Sequence, residues 1–116
     1  MSTIKRINPR GRMSDVIIHN GVAYFAGKVP ARGIVGIGEK TRDVLATIDR
    51  LLAEAGTSKD RILRAEIYLE DINDFEAMNE VWDTWVPTDA PPARATVEVK
   101  LASPEYRIEI VITAAV

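Results

Sequence analysis

Arg94 and Glu109 are the two residues whose types and spacing best suit chemistry on a small polar molecule. Pro91 and Pro92 stand immediately before Ala93-Arg94, at the mouth of the alternating run Ala95-Thr96-Val97-Glu98-Val99. Their rings stiffen the backbone that carries the arginine. A guanidinium held in this way is a planar fork for a small carboxylate. Fifteen residues on, Glu109 lies between Ile108 and Ile110, where a strand-borne carboxylate can orient or deprotonate water. The plain alternatives are a surface arginine at a strand start and a solvated strand glutamate.

Other chemistries find less support. His19 is the only histidine and precedes Asn20-Gly21, which reads as a turn-adjacent polar residue. Ser14, Ser58 and Ser103 have no histidine partner besides His19, and none is flanked like a nucleophile elbow. The absence of cysteine removes disulfides, thiolate nucleophiles and thiolate metal sites. A metal would need carboxylates alone, and no calcium-loop spacing occurs, so no metal is expected. Gly33, Gly36 and Gly38 lack both the dinucleotide fingerprint and the phosphate-loop lysine, and read as loop glycines.

The elements that must position Arg94 and Glu109 belong to one domain over 1–116, with 47% apolar and 28% charged residues. A net charge of −2, with both signs scattered, offers no basic patch for nucleic acid. Met1-Ser2-Thr3-Ile4-Lys5-Arg6 lacks the apolar core of a signal peptide, and no stretch approaches the ~20 apolar residues of a membrane span. The expected location is the cytoplasm, without membrane attachment.

Along the chain, Asp15 to Ala26 reads as a hairpin turning at Asn20-Gly21, followed by a glycine-punctuated loop. From Glu39 to Ala55 a helix puts Val44, Leu45, Ile48, Leu51, Leu52 and Ala55 on one stripe, with Gly56 as its stop. Ser58 is a candidate cap for one short turn, and Leu63 to Glu70 alternates as a half-buried strand. Asn73 and Glu76 have capping-box spacing before a second helix carrying Phe75, Met78, Trp82 and Trp85 on a core face. Asn79 stands beside that face, able to cap a neighbouring strand or contact ligand. Two last strands follow, with Val97, Val99 and Leu101 on one side of the first and Ile108, Ile110 and Ile112 on one side of the second.

The order is β-β-α-β-α-β-β, an α+β sheet with both helices on one face. Thr96, Glu98, Glu109, Val111 and Thr113 are expected on the other, a mixed surface that could meet water or copies of itself. If Ser103-Pro104 closes a simple hairpin, Glu109 opposes Glu98, four residues and about 13 Å along the strand from Arg94. That gap is long for one small substrate. A bulge, an offset register or a subunit interface could close it.

Several pieces, in their order and spacing, resemble the RidA/YjgF family of reactive-intermediate deaminases, which hydrolyse 2-iminoacids. They are Ala26-Gly27-Lys28-Val29-Pro30, Leu51-Leu52-Ala53-Glu54-Ala55-Gly56, Tyr68-Leu69-Glu70-Asp71, Asp74-Phe75-Glu76-Ala77-Met78-Asn79, Pro92-Ala93-Arg94 and Ile108-Glu109-Ile110. The likeness spans about Ser14 to Val116. Ser14-Asp15-Val16-Ile17-Ile18-His19-Asn20 and Trp82-Asp83-Thr84-Trp85-Val86 look most like the YoaB-like branch.

The resemblance implies a chorismate-mutase-like fold, a homotrimer and ligand clefts between subunits. It also implies that Arg94 grips a substrate carboxylate, that Thr96 assists through its backbone, and that Glu109 places the attacking water. Gly27 is the implied cleft glycine, and Asn79, from its place beside the core face of the second helix, is a further candidate substrate contact. No metal or organic cofactor is implied, because a protonated imine is already electrophilic. The chain departs from the family at Met13, Ala26 and Thr96, where deaminase-active relatives often carry tyrosine, serine, and cysteine or serine. These departures leave open a rival from another class, a trimer that binds a small carboxylate without turning it over. RNA cleavage, as in some relatives, would need a basic groove or stacking platform that the sequence does not display.

Overall fold

The computed structural model of the chain describes residues 3–116. Strands β2 (Val16–His19) and β3 (Val22–Phe25) form the expected hairpin. Asn20 and Gly21 between them have φ of 50° and 77°, the left-handed pair that a two-residue hairpin turn requires. A short strand that the sequence patterning did not reveal, β1 (Lys5–Ile7), pairs with β2 on the outer side.

Helix α1 (Ile37–Glu54) buries the predicted stripe, Val44, Leu45, Ile48, Leu51 and Leu52, together with Ile37 and Thr41. It stops at Gly56, whose φ of 78° lets its N–H reach Ala53 O at 3.0 Å while Thr57 N–H reaches Leu52 O at 3.0 Å. Ser58 precedes the single turn Lys59–Arg61, but its hydroxyl bonds Asp60 and caps nothing. The capping box is also not formed. Asp71 accepts from Asn73 N at 2.9 Å at the head of the turn Ile72–Asp74, and α2 (Phe75–Trp85) starts without a side-chain cap.

The six strands run β1-β2-β3-β6-β4-β5 across one sheet, where β4 is Ile62–Leu69, β5 is Ala93–Glu98 and β6 is Ile108–Ala115. Ala65, Ile67 and Leu69 of β4 and Ile108, Ile110, Ile112 and Ala114 of β6 point into one core shared with α1 and α2. Each fully buried aliphatic side chain contributes about 1.5–3 kcal/mol. Both helices cover this face, as the element order predicted.

The simple β5–β6 hairpin does not exist. β5 lies parallel to β4 at the sheet edge, and β6 lies antiparallel on the other side of β4. The physical reason is the crossover β4–α2–β5, whose helix must lie on the sheet and deliver the next strand parallel. Glu109 therefore opposes Tyr68 and not Glu98. The expected facing of β5 is reversed as well. Thr96 and Glu98 pair with Ile67 and Leu69 on the helix-covered face, while Val97 joins Tyr68 and Glu109 on the open face and is 46% exposed.

Candidate active site

Arg94 enters from edge strand β5, level with Ala65, on the face that α2 covers. Its Nη1 donates to Asn79 Oδ1 at 2.8 Å. The guanidinium carbon lies 5.8 Å from the Phe75 ring centroid and 5.5 Å from that of Trp82. Two aromatic faces and one amide thus fix the plane of the fork, using one of its five donors. Sequence reasoning assigned Phe75 and Trp82 to the core alone. Their spacing on α2 beside Asn79 was the available signal, but only the parallel crossover brings that helix face over Arg94.

Thr96 follows on the same side of β5. Its Oγ1 is buried and has no hydrogen-bond partner among the described residues. A buried hydroxyl without a partner is costly, and a ligand or a neighbouring chain is the natural source of one.

Glu109 belongs to a second cluster on the opposite face. It is half-buried, directly across from Tyr68, in the row Glu109–Tyr68–Val97. The hydroxyl of Tyr68 donates to Glu66 Oε2 at 2.7 Å, and Glu66 also accepts from Arg64 Nε at 3.2 Å. The bond to Glu66, with burial and the charges of Glu66 and Glu109, holds the Tyr68 phenol above its ordinary pKa, so it remains a neutral donor. Tyr68 is a neighbour of Glu109 that the assumed hairpin had hidden.

Gly27, two residues beyond the end of β3, meets Glu109. A Cβ at position 27 would stand 2.0 Å from Glu109 Oε2 and 2.9 Å from Cδ, so the carboxylate occupies the space that any other residue would fill. The backbone there is bulged. Tyr24 opposes Thr113, yet Lys28 opposes Ile110, so four steps along one strand match three along the other. The extra residue falls at Phe25–Gly27, next to Glu109, where a bulge re-aims the chain. Ala26 precedes this glycine, and Met13 is exposed in the Arg10–Met13 turn. At the entry to β6, Arg107 has φ of 61° and donates to Asp74 from Nε at 3.1 Å and Nη2 at 2.6 Å, tying that corner to α2.

The five predicted residues therefore form two pairs and one orphan hydroxyl, and one chain does not assemble them. Arg94 and Glu109 are two strand spacings apart across β4 and three residues apart along it, about 14 Å between their backbones. Their side chains leave opposite faces of the sheet. His19 ends β2 and takes part in neither cluster.

A six-stranded sheet with two helices on one face defines the architectural class of this α+β domain. The family model described as endoribonuclease L-PSP matches residues 3–116, and the chain belongs to that family, the RidA/YjgF proteins. It is 51% identical over 113 residues to a RutC family protein of Haemophilus influenzae, covering 97% of both chains. It is 46% identical over 114 residues to the RutC family protein YoaB of Escherichia coli, covering 98% of this chain and 99% of that one. Among solved structures, a YjgF-family protein of Neisseria meningitidis superposes with a TM-score of 0.94 at 47% identity, covering 97% and 94% of the two chains. Among the described residues no helix is long and apolar enough to cross a membrane.

Proposed function

We propose that the protein is a homotrimeric hydrolase of 2-iminoacids, with clefts built from two chains. The observation that carries this reading is the separation of the half-sites. Arg94 and Thr96 lie on the edge strand β5, with Asn79 of α2 against Arg94, while Gly27 and Glu109 lie on the open face, an arrangement that supports a cleft in which a second copy supplies one half.

In such a cleft the guanidinium of one chain, flattened by Phe75 and Trp82, binds the substrate carboxylate, and the Thr96 amide supports it. Glu109 of the adjacent chain takes a proton from water as its oxygen adds to the imine carbon. The C=N bond becomes C–N in a carbinolamine. The proton then passes to nitrogen, ammonia leaves with the C–N electrons, and the hydroxyl gives its proton back to Glu109 as its oxygen becomes the carbonyl of a 2-ketoacid. The chemistry needs only positioned water and a neutralised carboxylate.

Ala26 and Met13 favour keeping the second reading, a trimer that binds the carboxylate without turnover, because neither supplies a hydroxyl to the cleft. Iminoacids generated in situ by an amino-acid oxidase distinguish the two. The proposal expects faster conversion to the ketoacid with wild type, and about 10²-fold slower turnover with Glu109→Gln at little-changed carboxylate affinity. Saturable carboxylate binding without acceleration would establish the binding protein instead.

A further inference from the structure

Four hydrogen bonds from three side chains converge on a buried carboxylate that the proposed reaction does not use. Asp15 is only 5% exposed. Its Oδ1 accepts from Lys28 Nζ at 2.6 Å and Arg10 Nη2 at 2.5 Å, and its Oδ2 accepts from Asn8 Nδ2 at 3.0 Å and Arg10 Nη1 at 3.2 Å. Its backbone is committed too, the N–H donating to Ile7 O at 3.0 Å and the carbonyl accepting from Ala26 N at 2.9 Å.

The partners are not equivalent. Arg10 is largely exposed, so its contribution is screened by water. The Lys28 side chain is 13% exposed, and its pair with Asp15 is sheltered. A sheltered ion pair rarely adds net stability over an apolar pair of the same volume, but it admits few alternative arrangements. What Lys28 fixes is the bulge. Its N–H donates to Ile110 O at 2.9 Å and its carbonyl accepts from Ile110 N at 3.0 Å, closing the bulge one residue beyond Gly27 and one beyond Glu109.

We infer that Asp15 is a positioning residue for the Glu109 site, acting through Lys28 to hold the bulge that keeps Gly27 beneath the Glu109 carboxylate. The inference rests on the proposed role of Glu109 in placing water, but the anchor itself can be observed without turnover.

Lys28→Met is the discriminating variant, because Asp15 keeps Arg10 and Asn8 while only the link to the bulge is cut. Amide exchange followed by NMR should show the Lys28 and Ile110 amides opening about tenfold faster or more, with α1 and β4 amides unchanged. If the wild type hydrolyses iminoacids, kcat should fall about tenfold with little change in KM, as displacement of a water-orienting group requires. Asp15→Asn should give the same local pattern. Wild-type protection at Lys28 and Ile110 in the folded Lys28→Met protein would overturn the inference. So would uniform acceleration of all amides in both variants, because the pair would then hold the whole domain. A wild type without turnover would end the proposed reaction, yet the exchange pattern would still decide the anchor.

Discussion

Gly27 is a glycine because of space. Its φ is unexceptional, and the Glu109 carboxylate stands where a methyl group would be. In Gly27→Ala the obstructing atoms are the far end of a flexible side chain, so Glu109 can swing away at small cost to folding. The thermal midpoint should stay within a few degrees of wild type while turnover falls by about 10²-fold, the usual penalty for misplacing a reacting group by an ångström or so. Retained turnover would show that the orientation of Glu109 is immaterial. Arg94→Lys tests the other half-site. Lysine keeps the charge but loses the planar fork, the fit between two rings and the fixed bond to Asn79. Carboxylate affinity should weaken by roughly 1.5–3 kcal/mol, measured calorimetrically, with little change in folding. Wild-type affinity would make Arg94 a surface residue. Arg94 stood out in the sequence from its type and its proline-fixed neighbourhood, and Gly27 only through the family resemblance. Their placement on opposite faces was not legible, because it depends on which strand lies between them.

At the scale of elements, the turn and stripe signals were accurate, the cap signals at Ser58 and Asn73 were not, and non-local pairing was not legible. The Asn20-Gly21 turn and the α1 stripe with its Gly56 stop depend on residues close in sequence. The position of β5 depends on a crossover, and the nine residues from Val99 to Arg107 that return the chain to β6 pass β4, turning once at Pro104–Tyr106 as expected of Ser103-Pro104 but without closing a hairpin. Reversal of the β5 facing follows, with Arg94 and Thr96 toward α2 and Val97 toward the open face. β1 was missed because three residues carry no usable period, and it is held instead by pairing with β2 and by Asn8 and Asp15 beyond its end. Asp15 also gives this region a pH dependence. Burial alone would raise its pKa, but hydrogen bonds from Lys28, Asn8 and Arg10, with the charge of Lys28, outweigh it and hold the carboxyl below its ordinary value of 3.8. Glu54 approaches the same cluster through Asn8. A depressed folded pKa means stability that is fully present above 3.8 and lost as pH falls from there through the folded value. Thermal melts should therefore show a steeper acid-side decline for wild type than for Asp15→Asn. Parallel declines would mean that the Asp15 pairs contribute nothing to folding.

At the scale of the whole molecule, the open sheet face is neither a core nor an ordinary wet surface. Tyr24 is 51% exposed in the row Ile17–Tyr24–Thr113–Arg64–Ala93, and Val97 and Val111 flank it further along the sheet. Covering this face with further copies would bury those side chains and bring an edge strand of one chain toward the Glu109 cluster of the next. Light scattering should report about three chains per particle, and a monomer at micromolar concentration would leave the half-sites apart. The most direct test of the shared cleft uses two variants that are each inactive, Arg94→Ala and Glu109→Gln, unfolded together in equal amounts and refolded. If each cleft takes Arg94 from one chain and Glu109 from its neighbour, random assembly makes about one cleft in four wild type, and about a quarter of wild-type imine hydrolysis should return. A co-refolded mixture no more active than the two variants kept apart would contradict the account.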